Sequence, residues 1–344
     1  MNSHYKAAVL VSPGTIEIQE RALPTLSSAE ALVRVHYAGI CGTDLALYSG
    51  SYPTPLPLVP GHEFAGEVIK VGNAYHSGWV GRKVTSEINN TCISWDLPKK
   101  CPACMAGLPN HCQRRTVMGI VGSDGTFAEF VKVPIRNLHA LPDTIPFHHG
   151  TLVEPLAAAI QTFEMRPISR GETVVVLGIG RLGVLICRVA SLEGARVIAI
   201  GRSPHKLKLA SAFGADVVIN SSEVRPRDRV LELTGGLGVD VVVEATGVPE
   251  GLNLAFEMVR PGGTICVKST PGGGCADFPL TKAVVDEIRV QGSRCGPFGK
   301  AIGLLARREF DVEALISEVY PLDEAAAALE AAKSKFKVLL RVAE

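Results

Sequence analysis

No apolar stretch in this 344-residue sequence approaches the roughly 20 residues that a membrane-spanning helix requires. Met1 to Val11 carries one lysine and an apolar run too short for a secretory leader, so the expected location is cytoplasmic. Blocks of lysine or arginine are missing too, and the charges nearly cancel, with 35 Lys plus Arg against 34 Asp plus Glu. That balance leaves no electrostatic footprint for nucleic acid or an anionic membrane surface, so the expected partner is a small molecule. Internal repeats and low-complexity linkers are also lacking, which leaves an ordinary globular chain.

What is present is apolar residue in quantity, 47% of the chain, and a length too great for one ordinary core but ample for two. A two-domain protein of enzyme size is expected. Nine cysteines occur, an odd number, and four of them crowd between Cys92 and Cys112. In a reducing compartment such crowding favours thiolate ligands over disulfides.

The texture changes near residue 150. Before it, short apolar runs (Ala7 to Val11, Ala31 to Tyr37, Glu67 to Val71, Phe127 to Val133) alternate with turn residues and with the proline-rich Tyr52 to Pro60, as in a mostly antiparallel sheet or barrel. From about residue 155 the runs become continuous: Thr173 to Leu177, Arg196 to Ile200, Asp216 to Ile219, Asp240 to Val243 and Thr264 to Val267. Separated by helix-length segments, these predict a parallel sheet covered on both faces. After about residue 292 come helical stretches over Ala301 to Arg308 and Leu322 to Ser334, then a strand-like Val338 to Val342.

Thr173 to Leu177 runs directly into Gly178-Ile179-Gly180-Arg181-Leu182-Gly183, after which Val184 to Ala190 reads as helix. In that strand-turn-helix context the first glycine permits the tight turn and the second lets backbone approach a pyrophosphate. The third lets helix pack on strand, and the helix N-terminus faces the anion. At the end of the second strand an acidic residue would bind the ribose hydroxyls of NAD, but here stand Gly201, Arg202 and Ser203, with Lys206 a turn further on. Arg202 suits a 2′-phosphate bidentately, Ser203 can donate to it and Lys206 adds charge, so NADP(H) is expected and NAD is the weaker candidate. Thr246, beyond the strand-like Asp240 to Val243, is placed with the cofactor-binding residues.

Cys101-x-x-Cys104 followed by Cys112, with Cys92 upstream, offers four soft ligands and suits a closed, structural tetrahedral zinc within a loop spanning 89–113. His111 is a rival ligand that its position beside Cys112 disfavours. Cys41 and His62 form a different kind of pair, one thiolate and one imidazole. A catalytic zinc needs about three protein ligands and an open position, so Glu63 or Glu154 must supply another.

Gly39-Ile40-Cys41-Gly42-Thr43-Asp44, Gly61-His62-Glu63-Phe64-Ala65-Gly66, the cysteine cluster, Gly125 to Phe130, Glu154-Pro155 and Gly178 to Gly183 follow one another in an order that resembles the zinc-dependent medium-chain alcohol dehydrogenases. The resemblance covers essentially the whole chain. It implies an α/β protein with a β-rich GroES-like catalytic domain over 1–154, a Rossmann doubly wound domain over 155–292, and a return to the catalytic domain over 293–344, with the active site in the cleft. It further implies one catalytic and one structural zinc, Cys41 and His62 as catalytic ligands, and Thr43 as the hydroxyl that passes the substrate proton onward. Glutamate at 154, where the simple alcohol dehydrogenases have cysteine, looks more like the polyol, sugar and threonine dehydrogenase branches, in which Glu63 can also ligate. Two positions depart from the family pattern. Ile93 to Lys100 stretch the cysteine cluster, and Ala46 stands where many members carry a relay histidine.

The expected activity is hydride transfer between NADP(H) and a secondary alcohol, polyol, cyclitol or sugar, or the matching ketone. The segments Leu47 to Tyr52 and Ser293 to Phe298, the first read as a loop, are expected to line the substrate pocket. The alternatives are an NAD-dependent amino-alcohol dehydrogenase of the threonine type and, in another class, an inactive dinucleotide-binding regulatory protein. A homodimer or homotetramer is expected.

Overall fold

The computed structural model describes residues 3–270 and 277–343. The chain divides into two compact units, Met1–Glu154 with Phe298–Glu344, and Pro155–Pro297.

The first unit is organised by the strand Glu30–Gly39, whose residues are buried or half-buried along its whole length. It pairs antiparallel with three other strands, Glu63–Val71, Phe130–Pro134 and Lys337–Arg341. The sheet continues through Lys83–Ser86 and Leu138–Ala140 on one side and Ile316–Pro321 on the other. Ala8, Val33, Val35, Phe64, Val84, Phe127 and Leu340 meet in its core, joined by Leu329 of the helix Ala325–Ala332. A hairpin of His4–Ser12 and Thr15–Ala22 lies apart from this sheet, as do three short strands, Asn89–Asn90, Thr116–Met118 and Gly122–Ser123, the first two of which flank the cysteine-rich loop.

One expectation is corrected here. Leu47 to Tyr52 is not a loop throughout, because the helix Gly42–Ser49 runs through its first three residues. Cys41 caps that helix, the Asp44 carboxylate reaches back to accept the Cys41 N–H at 2.8 Å, and Gly50 ends it in the left-handed region at φ +77°. A capping box plus a C-terminal glycine is a complete start-and-stop signal, and it outweighs the turn-like composition of Ser49-Gly50-Ser51.

The second unit holds a six-stranded sheet in the order Val217–Asn220, Arg196–Gly201, Thr173–Leu177, Val239–Glu244, Val259–Val267, Arg289–Gly292. Every neighbouring pair is parallel. This is the doubly wound dinucleotide-binding order, with its switch point at the central strand Thr173–Leu177. The five apolar runs of the sequence are five of these strands; Arg289–Gly292, short and exposed on an edge, carries no such run. Among the described residues no helix is long and apolar enough to cross a membrane.

The turn after Thr173–Leu177 shows why glycine recurs there. Gly178 sits at φ +101°, and a Cβ on it would lie 2.7 Å from the Ala245 carbonyl carbon. A Cβ on Gly183 would lie 2.1 Å from the Gly178 carbonyl oxygen, an impossible contact with backbone. Gly183→Ala is therefore expected to destabilise the protein by about 1–3 kcal/mol, the usual cost of forced overpacking. Denaturant unfolding measures it, and an unchanged midpoint would show that the turn tolerates the methyl group.

Candidate active site and metal centres

The end of the strand Glu30–Gly39 gathers the first group of site residues. Antiparallel register sets Gly39 opposite Glu63 on one neighbour and opposite Leu339 on the other, so Glu63 and Lys337 reach the same place from two strands. Lys337 Nζ pairs there with Glu63 Oε2, and both side chains are almost wholly buried, 3% and 2% exposed. Lys337 also donates to the Ile40 carbonyl at 3.3 Å. Gly39 makes the room, since a Cβ on it would lie 2.6 Å from Glu63 Oε2 and 3.0 Å from Lys337 Nζ.

Cys41 follows Gly39 after one residue, and His62 immediately precedes Glu63. The sulfur, imidazole and carboxyl groups of Cys41, His62 and Glu63 offer ligand atoms within 4.8 Å of one another. Gly61, at φ +93°, turns the chain into this trio under the Phe127 ring, which would meet a Cβ at 2.4 Å. Behind it stands Asp44, fully buried. One of its oxygens accepts the Cys41 N–H at 2.8 Å; the other accepts the Gly61 N–H at 3.1 Å and faces His62 Nδ1 at 3.5 Å. Burial by itself would lower the His62 pKa, but the Asp44 carboxylate and the Cys41 sulfur carry it well above the ordinary imidazole value. The Asp44 carboxylate and the Cys41 sulfur thus favour positive charge beside the imidazole, and a carboxylate in the place of Asp44 is the kind of oxygen partner that orients an imidazole toward a metal. Thr43 Oγ1 lies 3.9 Å from the Cys41 sulfur. Glu154, near the start of the helix Val153–Met165, is not in the ligand trio.

Sequence reading missed both Asp44 and Lys337. Asp44 had a local signal, an acidic residue three places after a cap position. Lys337 had none, since 274 residues separate it from Glu63.

Cys92, Cys101, Cys104 and Cys112 form the second group, all buried and all with ligand atoms within 4.8 Å of one another. Cys92 and Cys112 sulfurs are 3.5 Å apart and Cys101 and Cys112 sulfurs 3.7 Å. A tetrahedron of zinc–sulfur bonds of about 2.3 Å has edges of roughly 3.8 Å, so the spacing fits zinc and is far beyond a disulfide bond. The Cys92 N–H points at the Cys112 sulfur, 3.4 Å away. The Cys104 backbone draws the Cys101 thiol down to about 6, whereas burial and neighbouring sulfurs push Cys104 up to about 12. Four thiolates cannot ionise together at one point without a cation, and the four-sulfur donor set is the kind that suits zinc. The stretch Ile93 to Lys100 bulges without breaking the cluster, and His111 lies outside it.

In the second unit, Gly180 caps the helix Arg181–Leu192 without a side chain, and a Cβ on it would meet nothing within 4 Å. That open approach to a helix N-terminus is what a pyrophosphate requires. Gly201 ends its strand, Arg202 is exposed, Lys206 is half-buried, and Ser203 begins the helix Pro204–Ala212 without spending its hydroxyl on a cap. Thr246 is otherwise engaged: its hydroxyl and N–H both donate to Glu244 Oε1, at 2.5 and 2.8 Å.

The description "Alcohol dehydrogenase GroES-like domain" matches residues 27–143 and "Zinc-binding dehydrogenase" matches residues 181–307. A sorbitol dehydrogenase of Halalkalibacterium halodurans is 33% identical over 97% of this chain and 98% of its own. Among solved structures, a chain from Sinorhizobium meliloti 1021 bound to NADP has a TM-score of 0.90 and 33% identity over 99% of this chain and all of that one. Alcohol dehydrogenase TADH from Thermus sp. ATN1 has a TM-score of 0.90 and 32% identity over 98% of this chain and all of its own. The chain belongs to the zinc-dependent medium-chain alcohol and polyol dehydrogenase family, with a GroES-like and a Rossmann-type domain. It is an oxidoreductase of the alcohol and polyol type.

The buried Lys337–Glu63 pair gives a stability test. Lys337→Met strands a buried carboxylate, and about 3–5 kcal/mol should be lost in metal-depleted protein. Urea unfolding of both proteins measures the difference; a loss under about 1 kcal/mol would mean that Glu63 is hydrated or neutral.

Proposed function

We propose that the protein is an NADP(H)-preferring zinc dehydrogenase of polyols, cyclitols, sugars or related secondary alcohols. The observation that carries this reading is the convergence of Cys41, His62 and Glu63, whose ligand atoms lie within 4.8 Å of one another. In it Cys41 and His62 hold the catalytic zinc with Glu63 as third protein ligand, since a carboxylate that accepts Lys337 still has lone pairs to offer. Glu154 is the alternative third ligand. Cys92, Cys101, Cys104 and Cys112 hold a second, structural zinc.

When bound, zinc would supply a Lewis acid that lowers the pKa of an alcohol hydroxyl, and the nicotinamide cofactor would supply the hydride acceptor. The chain's own residues do the rest. Thr43 receives the substrate proton at Oγ1, and Ala46 in place of a histidine sends that proton out by another route. Asp44 fixes the imidazole of His62 and the backbone of Cys41. Gly178, Gly180 and Gly183 admit the pyrophosphate at the N-terminus of Arg181–Leu192, with Arg181 and Leu182 in its first turn. Arg202, Ser203 and Lys206 take the 2′-phosphate, and Thr246 holds the turn near the cofactor through Glu244. The sorbitol dehydrogenase relative supports a polyol, and the NADP-bound relative supports the cofactor. Exposed Leu280, Val284 and Val285 close to the edge strand Arg289–Gly292 support self-association through that edge into a dimer or tetramer.

Two measurements test this. Thr43→Val should lower turnover by about 10²-fold or more while NADPH affinity stays nearly constant; equal losses in both would point to a folding defect. Gly201→Asp with Arg202→Ala should shift preference toward NAD by about tenfold or more in kcat/KM, because a charged hydrogen-bond partner of the phosphate is lost and a carboxylate is added. A Cβ at 201 meets Ile179 Cγ1 at 3.3 Å, which a small shift relieves. Unchanged selectivity would misplace the 2′-phosphate pocket, and activity only with amino alcohols and NAD would establish the threonine-type alternative. Absence of all turnover with every alcohol and ketone would leave a binding protein.

A further inference from the structure

Away from both cysteine-containing clusters, two imidazoles and a carboxylate converge on one point. His148 and His149 lie on the one-turn helix Phe147–Gly150, and Glu313 opens the turn Glu313–Leu315, more than 160 residues later in the chain. Nε2 of His149 is 2.7 Å from Glu313 Oε2, and Nε2 of His148 is 3.2 Å from the same oxygen. The three ligand atoms lie within 4.8 Å of one another.

Both pieces of backbone are anchored from beneath. Phe147 stacks on His36 with ring centroids 4.0 Å apart and planes 6° from parallel, and Lys83 lies over the Phe147 ring while donating to the Ile145 carbonyl. On the other side Val312 and Leu315 are buried, and Asp311 accepts the Glu313 N–H at 3.1 Å. The Tyr37 ring meets His148 edge-on at 5.7 Å. The side chains themselves remain open to solvent, Glu313 at 61% exposure and the two histidines at 33% and 24%. A groove of about 410 Å³ lined by Thr144, Pro146, His149 and Asp311 adjoins them.

We propose that His148, His149 and Glu313 form a third metal site, for a first-row divalent transition ion of the zinc, nickel or cobalt kind. Two imidazoles and one carboxylate are the borderline donors such ions select, whereas magnesium and calcium call for oxygen ligands throughout. Three protein ligands leave a coordination position to water on the solvent side. The ion ties the end of the N-terminal segment of the first unit to its returning C-terminal segment, and by binding only the folded chain it raises stability.

The test uses the full-length protein with its tightly held metal left in place, dialysed free of loose metal and titrated with Co²⁺ alone. Wild type is expected to take up one further Co²⁺ per chain, with visible d–d bands but no thiolate-to-cobalt charge-transfer band, and to melt at a higher temperature with the ion than without it. His149→Ala and Glu313→Gln should each weaken that binding by at least the roughly 10–100-fold that loss of even an outer partner of a ligand costs, and should abolish the melting shift. Glu313→Gln keeps the size of the side chain and a hydrogen-bond acceptor, so its circular dichroism should match wild type and separate ligand loss from misfolding. Failure of wild type to bind further cobalt, or binding that survives both substitutions, would overturn the proposal and leave a carboxylate hydrogen-bonded to two imidazoles. A charge-transfer band growing with the added ion would assign it to a cysteine site and overturn the proposal equally.

Discussion

The place where the strand Glu30–Gly39 stops governs the rest of the first unit. Its pairing with Glu63–Val71 and Lys337–Arg341 fixes which residues stand beside Gly39, and a shift of one residue in either ladder would turn Glu63 or Lys337 to the opposite face. A buried lysine and a buried glutamate are each costly alone. Together, with Gly39 leaving space for both, they sit where the register brings them, and Cys41 and His62 are delivered alongside, two residues past the end of one strand and one residue before the start of the other. The position of the ligand trio is therefore a property of the sheet, not of the loops.

Two sulfur-containing clusters show how donor type and burial divide the work. The cysteine cluster is built from four like donors within one stretch of 21 residues, closed on itself and flanked by two short strands. Nothing in it leaves a vacant position, so it suits a loop-holding ion. Cys41, His62 and Glu63 come from two parts of the chain and from three kinds of donor, and Asp44 behind them supplies the orientation that identical thiolates do not need. Mixed donors with an open side are what chemistry at a metal demands. Asp44 has two tasks at once: it caps the first turn of Gly42–Ser49 through the Cys41 N–H and faces the imidazole of His62 at 3.5 Å, so the helix start and the site share one carboxylate.

What was legible in the sequence follows from how local each signal is. The turn Gly178 to Gly183 could be read because strand, glycines and helix are consecutive, and the cysteine cluster because its ligands are close in sequence. The parallel sheet announced itself through continuous apolar runs, except at Arg289–Gly292, where an exposed edge strand needs no such run. Leu47 to Tyr52 misled because serine and glycine composition was weighed above the capping pattern just before it. Lys337 and the meeting of His148 and His149 with Glu313 depend on long-range register and packing, for which a single sequence holds no local trace. Thr246 shows the limit from the other direction: its position could be named, but not that its hydroxyl is spent on the buried carboxylate of Glu244.

The glycines of the nucleotide turn separate two demands that a pattern of three identical letters conceals. Gly178 and Gly183 are required by the protein itself, since a methyl group on either would strike backbone within the fold whether or not a ligand were present. Gly180 is not, because a Cβ there would point into open space. A position with no internal need for glycine, at a helix start with no side chain to cap it, leaves the backbone N–H groups open to an approach from outside. Crowding at two positions and emptiness at the third are thus different kinds of observation: the first accounts for the fold, and the second for the access that the turn leaves to an anion.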